Sequence, residues 1–146
     1  MAHLYVDTLE EYRTNMAALL TSPTDGTKTA SKFARVEQYY GTSPDQLMAE
    51  LPGLPPATPV IVYAGGIWGN QPVRTATFRV FVYVERGSGS KAIYMALYAL
   101  AARIILLLDR EIPDAQQVVY VVSDSPTDLG GDQNAAYEVR AELRDH

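Results

Sequence analysis

The chain has 146 residues, of which 47% are hydrophobic and 20% charged, and it contains no Cys. This length predicts a single domain over residues 1–146 with its own core. The absence of Cys excludes disulfides, thiol nucleophiles and thiolate metal sites. The net charge of −5 argues against a general nucleic-acid binder, which needs a basic face.

Three further features narrow the function class. The two histidines, His3 and His146, lie at the chain ends, where order is poor, so neither a His general base nor a multi-His metal site is expected. Residues 1–7 lack a basic region followed by an apolar run, so no signal peptide is expected. The apolar stretch 92–108 is shorter than the roughly 20 residues of a spanning helix and contains Arg103, which favours a largely buried helix over a membrane span.

The first third of the chain predicts a helix, a loop and a strand. Asp7 can cap the helix, and Glu10 completes a capping box. The apolar residues recur at helical spacing on one face: Leu9, Tyr12, Met16, Leu19 and Leu20. Segment 21–32 is rich in Thr, Ser, Gly and Lys and predicts a mobile surface loop. Segment 33–40, with its Phe, Val and paired Tyr, predicts a strand.

The middle of the chain predicts a short helix and a hairpin. Ser43 and Pro44 are typical of a helix start, and the prolines of segment 51–56 form a stiff connector. Segment 59–64 predicts a central strand that ends at Gly65-Gly66, which places Trp68 on a turn. Segment 74–85 predicts the longest strand, paired with its predecessor as a hairpin.

The last third predicts one long helix and two strands. The helix is expected from Ser90 to about Arg110, with its inner stripe formed by Ile93, Leu97, Leu100, Ile104 and Leu107 or Leu108. Segments 118–122 and 136–143 predict strands separated by a polar loop over 123–134. Charged residues alternate with apolar ones in the final strand, which predicts one wet face.

These elements follow the order α-β-α-β-β-α-β-β. Adjacent strands with helices between them favour the α+β class: one mostly antiparallel sheet of about four to five strands with helices packed on it.

No motif carries a complete catalytic or metal-binding pattern. Gly87-Ser-Gly-Ser-Lys91 sits where a phosphate loop would sit, but Ala92 replaces the Ser/Thr that would hold Mg²⁺, so an ordinary turn is favoured. Asp124, Asp128 and Asp132 are spaced by four rather than alternating as in calcium loops, which favours a solvated loop. We therefore predict no enzyme activity, no catalytic residue, no cofactor and no metal.

Aromatic and arginine residues are the candidates for protein contacts. The ten tyrosines offer apolar area with a polar tip, which suits surfaces that are dry in an assembly. For any single tyrosine we favour a core position with its hydroxyl at the surface, and for some subset of them an interface. Trp68 either covers the sheet edge or anchors a protein contact. The predicted interface residues are Trp68, Arg74, Arg79 and Tyr40, all large, amphipathic and expected on edges or turns.

A family resemblance lies between residues 33 and 108. The runs Ala34-Arg-Val-Glu-Gln-Tyr-Tyr-Gly41, Asp45-Gln-Leu-Met-Ala-Glu-Leu-Pro-Gly-Leu-Pro-Pro-Ala57 and Val60-Ile-Val-Tyr-Ala-Gly-Gly66 resemble the tail-terminator proteins of long-tailed bacteriophages, in particular the Mu-like branch. The strand around Phe78-Arg-Val-Phe-Val-Tyr-Val84, a Gly/Ser turn and the following helix agree in order. Segment 21–32 and the Trp68 region have no counterpart in the pattern.

The resemblance implies an α+β fold like that of the lambda tail terminator and a homo-oligomeric ring, expected to be a hexamer. Such a ring caps the head-proximal end of the tail tube, stops its growth and presents a surface for head joining. The implied partners are copies of the chain, the tail tube protein, the head–tail connector and, in a contractile tail, the sheath, with DNA passing only through the lumen. The implied location is the virion tail or neck, after assembly in the host cytoplasm and without a membrane.

Two other functions remain open from the sequence. One is another neck or head-completion protein at the head–tail joint. The other is a small-ligand-binding α+β domain that uses Trp68 and a tyrosine-rich sheet.

Overall fold

The computed structural model describes residues 5–40, 47, 57–68, 74–85, 90–113, 117–127 and 134–145. The elements are α1 (Tyr5–Thr21), a 3₁₀ helix (Gly26–Ser31), β1 (Glu37–Tyr39), β2 (Val60–Trp68), β3 (Arg74–Glu85), α2 (Ser90–Leu108), β4 (Gln117–Thr127) and β5 (Asn134–Asp145). The five strands form one mixed sheet in the order β1-β2-β3-β5-β4. β1 runs parallel to β2, and the other neighbours are antiparallel, so the predicted α+β class is confirmed.

Both helices pack against the same face of the sheet, and the main core lies between this face and the two helices. Along β3, Phe78, Val80 and Val82 point into this core, while Phe81 and Tyr83 point to the opposite face, as the alternation predicts. The buried residues contributed by the two helices are Tyr12, Met16, Leu19, Leu20, Leu97, Leu100, Ala101, Ile104, Leu107 and Leu108. The predicted helical stripes are therefore confirmed wherever their side chains are described.

A second, smaller core lies on the opposite face of the sheet, at one end. Its members are Tyr39, Leu47, Val60, Val62, Phe81, Tyr83 and Ala136. Leu47, which is helical and buried, belongs to the segment for which a short helix is predicted; the rest of that segment lies outside the described residues. This end of the face is apolar, so the charged part of the sheet lies at its other end.

The predicted break after Ala64 is wrong, because β2 continues through both glycines to Trp68. The register with β3 shifts by one residue between Tyr63 and Gly65, which identifies a β-bulge. Gly65 has φ +111°, a conformation that L side chains rarely adopt, and so a glycine absorbs the bulge. A glycine pair that looks like a strand terminator therefore serves as a bend inside the hairpin.

The predicted polar loop over 123–134 is wrong for residues 123–127, which belong to a strand, whereas residues 128–133 lie outside the described residues. β4 extends to Thr127, with a bulge between Val121 and Ser123 that shifts its register on β5. Residues 123–126 are exposed, which is compatible with an edge strand, but Asp and Pro disfavour strands by propensity. Pairing with β5 overrides that propensity.

The N-terminal elements differ in detail from the prediction. α1 begins at Tyr5, so Asp7 lies inside the helix and not at its cap. Segment 21–32 contains a 3₁₀ helix in place of the expected mobile loop. Only Glu37–Tyr39 of the predicted strand 33–40 is paired, and Phe33 is buried in the main core before the strand begins.

The 3₁₀ helix is held against α2 by specific contacts. Arg103 donates to the carbonyl oxygens of Ser31 (Nε, 3.2 Å) and Lys32 (Nη2, 2.8 Å), and its guanidinium lies 4.0 Å from the ring centre of Phe33. Lys28 forms an ion pair with Glu111. A segment that is polar by composition is therefore ordered by partners that are distant in sequence.

α2 ends at Leu108, close to the predicted end. Arg110 takes a left-handed conformation (φ 63°), the position usually given to Gly after a helix, and stops the helix there. By length and composition, Lys91–Leu108 is the one described segment that could cross a membrane, although core helices of other proteins pass the same criterion. It is not the mostly buried helix expected from the sequence, because one side of it is open.

Candidate functional site

The outward side of α2 is apolar. We define the α2 outer face as the exposed residues Ala92, Tyr94, Met95, Tyr98, Ala99, Ala102 and Leu106. No charged residue occurs between Lys91 and Arg103, in a chain that is 20% charged. Interfaces are enriched in Tyr and Met and depleted of charge at their centre, and this face shares these features, although three of its seven residues are Ala.

A row of three tyrosine rings borders the α2 outer face. The centres of the Tyr94 and Tyr98 rings are 6.4 Å apart, and Tyr98 meets Tyr137 edge-to-face at 5.8 Å. Tyr137 donates its hydroxyl hydrogen to Oδ2 of Asp124 over 2.5 Å. This hydrogen bond and burial raise the pKa of Tyr137 to about 12. The row is therefore fixed at its buried end by a charged acceptor and open at the Tyr94 end.

The opposite face of the sheet carries arginines where it is not covered by the smaller core. We define the arginine face as Arg79 on β3 and Glu138, Arg140, Glu142 and Arg144 on β5. The three arginine side chains are 33–45% exposed, whereas Glu138 is 10% and Glu142 23% exposed. The solvent therefore meets mainly guanidinium groups on this face.

Glu138 reduces the repulsion between two neighbouring arginines. Arg79 and Arg140 stand directly opposite each other across β3 and β5, an arrangement that is unfavourable for like charges. Glu138 forms an ion pair with Arg79 and lies 3.5 Å from Arg140 Nη2. One carboxylate against two guanidiniums leaves a positive excess at this point of the sheet.

Tyr120 extends the arginine face onto the edge strand. Its ring centre lies 4.5 Å from the Arg144 guanidinium and 5.0 Å from that of Arg110. Arg144 also donates to Glu142. These stacking contacts hold long side chains in defined positions, which lowers the entropy cost of engaging a partner.

The sequence-predicted residues fall into different places. Trp68 and Arg74 are paired with each other at the end of the β2–β3 hairpin, so Trp68 is on a strand and not on a turn; their side chains lie outside the described residues. Arg79 is on the arginine face, and its guanidinium is 4.9 Å from the Phe81 ring centre. Tyr40, 61% exposed, lies beside α1, apart from Arg79. The four residues therefore do not form one site.

Tyr40 is held by the buried Arg13. The Arg13 guanidinium lies 4.4 Å from the Tyr40 ring centre and donates to the backbone oxygen of Tyr39 over 3.3 Å. The Tyr40 hydroxyl donates to Glu10 over 3.4 Å. Tyr40 thus packs against α1 and β1. Its ring is exposed to solvent but is held in place by these contacts.

Among the residues that make the two faces, the sequence predicts Arg79 as an interface residue and the tyrosines as candidates. It does not single out Met95, which it places on a mostly buried helix, or Arg140 and Arg144, which it places on the wet face of the last strand. One signal was present: the uncharged run from Ala92 to Ala102 is longer than the buried stripe of an amphipathic helix requires.

The candidate chemistry motifs have separate outcomes. Residues 87–89 of the glycine-rich segment lie outside the described residues, as do Asp128 and Asp132. Asp124 lies in β4 and accepts the hydrogen bond from Tyr137. Within the described ranges, no group of three or more His, Asp or Glu could hold a metal ion.

No protein-family model matches the chain, and no curated protein matches it.

Proposed function

We propose that the chain is a ring-forming virion assembly protein, a tail terminator that caps the head-proximal end of a phage tail tube. In this role it stops tube polymerisation and offers the surface for head joining. It acts through contacts with its own copies, the tube protein and the connector, and with the sheath if the tail contracts. It has no catalytic residue or cofactor, and DNA only passes through its lumen.

The observation that carries the proposal is the pair of unlike faces on opposite sides of one sheet. The α2 outer face is apolar and rich in aromatic groups, and the arginine face is cationic. A closed ring of identical subunits joined head to tail needs two different, mutually complementary surfaces on each subunit. The mid-chain resemblance and the α+β class support the choice of a tail terminator among ring proteins.

The experiment measures assembly and tube growth with the purified chain. We expect light scattering coupled to size exclusion to detect a closed species of about six subunits at high concentration, and negative-stain images to reveal rings. Added to polymerising tail tube protein, the chain should shorten the tubes and appear at one tip. A chain that remains monomeric and leaves tube length unchanged would overturn the proposal.

Cross-linking separates this role from another neck protein. A tail terminator should cross-link to the tube protein in assembled tails that have not yet joined heads. A head-completion protein should instead cross-link only to the connector.

A further inference from the structure

We propose that the α2 outer face of one copy packs on the arginine face of the next copy, so that successive copies join head to tail. This inference rests on the proposed function and names the surfaces through which it works. The occupant of each face is therefore a second copy of this chain.

The chemistry of the two faces is complementary. The flank of the α2 outer face presents the open Tyr94 and Tyr98 rings and, at the end of the row, the exposed Asp124 carboxylate. Aromatic ring faces and carboxylates are the groups that guanidinium binds. The arginine face offers Arg140 and Arg144, each 45% exposed, above less exposed glutamates.

The centre of the contact would be apolar. Met95 and Leu106 are 57% and 48% exposed, and the alanines between them allow a close approach. On the arginine face, the aliphatic stems of the arginines and the Tyr120 ring supply apolar area beneath the charges. Such a contact has the usual anatomy of a protein interface, with an apolar centre and a polar rim.

The position of the two faces decides against a self-paired contact. They lie on opposite sides of the sheet, so one subunit cannot bring its own faces together, and each contact leaves one free face on each partner. A twofold pairing of α2 with α2 would leave the arginine face unused. A head-to-tail contact uses both faces of every copy, and it closes into a ring when the rotations between successive copies add up to a full turn.

Strand addition at β4 is a weaker route to assembly. The outer edge of β4 is already paired at Val119, which donates to the Glu111 carbonyl and accepts from the Arg110 amide, over 2.9 and 2.8 Å. The Val121 amide donates to Asp109 over 3.1 Å, and Pro126 lacks a donor further along. Such edges resist pairing with another strand.

The test uses two variants that each damage one face. Met95→Glu places a charge in the apolar centre of the α2 outer face, and Arg140→Glu reverses a charge on the arginine face. Thr14→Glu is the matched control, since Thr14 is exposed on the outward side of α1. Circular dichroism and thermal melting of each variant establish that it is folded before sedimentation velocity measures its size.

We expect each face variant to remain monomeric at the concentration at which the wild type and Thr14→Glu form rings, with association weakened at least tenfold. An equimolar mixture of the two variants should form a dimer and nothing larger. The intact α2 outer face of the Arg140→Glu chain can dock on the intact arginine face of the Met95→Glu chain, and the remaining two faces are both damaged.

Two outcomes would overturn the inference. They are ring formation by either folded variant, whether or not the other variant assembles, and a mixture that yields no dimer. If the wild type still forms rings that cap tubes, either outcome would overturn this inference but not the proposed function. A wild type that neither assembles nor acts on tubes would instead remove the proposed function, and this inference with it.

Discussion

The two helices pack on the same sheet face but turn different surfaces outward. α1 presents the exposed polar residues Glu10 and Thr14, and its buried Arg13 binds Tyr40 and the Tyr39 carbonyl within the subunit. α2 presents Met95, Tyr98 and other apolar side chains, with no charged residue between Lys91 and Arg103. Both helices therefore bury an apolar stripe against the sheet. Only α1 has the polar outward surface that is typical of a helix facing water.

The difference between the outward surfaces of α1 and α2 supports a role for the α2 outer face beyond folding. Single exposed apolar residues are normal on protein surfaces, but a contiguous apolar face marks an interaction site. The following experiments test this division of labour between the inner and outer sides of the helices, in order of decreasing effect.

The largest difference in the free energy of unfolding is expected between alanine variants of two adjacent leucines of α2. Leu107 is fully buried and Leu106 is 48% exposed. Leu107→Ala should lower the free energy of unfolding by about 2–5 kcal/mol, because it removes packed side-chain atoms and leaves a cavity. Leu106→Ala, the same chemical change one residue away, should alter it by less than about 0.5 kcal/mol. Urea denaturation of both variants measures the difference, and equal losses would show that the outer side of α2 is also part of the core.

The next effect concerns the buried cation of α1. Arg13→Met keeps the aliphatic stem but removes the donor to the Tyr39 carbonyl and the guanidinium beside Tyr40. We expect a loss of about 1–3 kcal/mol in the free energy of unfolding, since a buried acceptor loses its partner. Amide hydrogen exchange should increase over β1. A variant as stable as the wild type, with unchanged exchange, would contradict the anchoring role of Arg13.

A smaller effect, on self-association, is expected when a charge is placed on the outward surface of α2 and not when it is placed on that of α1. Ala99→Glu on α2 should weaken self-association at least tenfold, about 1.4 kcal/mol, because the charge must be desolvated in the contact. Thr14→Glu on α1 should leave association unchanged. Sedimentation equilibrium of both variants checks this. Equal weakening would mean that added charge itself, and not the α2 outer face, governs assembly.

The smallest effect is the alkaline titration of Tyr137. Its pKa of about 12 lies above the ordinary value of 10.0, so between these values the folded state keeps a proton that the unfolded state has lost. The stability due to this difference is fully present below about pH 10 and is lost as pH rises toward 12. Ultraviolet titration of tyrosinate should reveal a late phase that Tyr137→Phe removes.

Tyr137→Phe also removes the hydrogen bond to Asp124. This loss should lower the free energy of unfolding by about 1 kcal/mol at neutral pH. Tyr98→Phe is the control for a tyrosine in the same row. A late titration phase that survives in Tyr137→Phe would assign the high pKa to another tyrosine.

The sequence alone determined the class of fold and most of the core. Helical and alternating spacing identified the inner stripes of both helices and the two sides of β3, because burial selects apolar residues at the period of each element. Propensity misplaced the breaks: Gly65-Gly66 and residues 123–127 look like turns, yet strand pairing and two bulges keep them in the sheet.

Only the tertiary structure decided which surfaces are left over for partners. Exposure of Met95 and Tyr98 depends on which side of α2 meets the sheet, and the placement of Arg79 opposite Arg140 depends on the β3–β5 register. Neither quantity is local in the chain, since both arise from contacts between elements dozens of residues apart. Periodicity identifies the buried side of each element, but only the assembled sheet specifies which charges meet and which apolar side remains open.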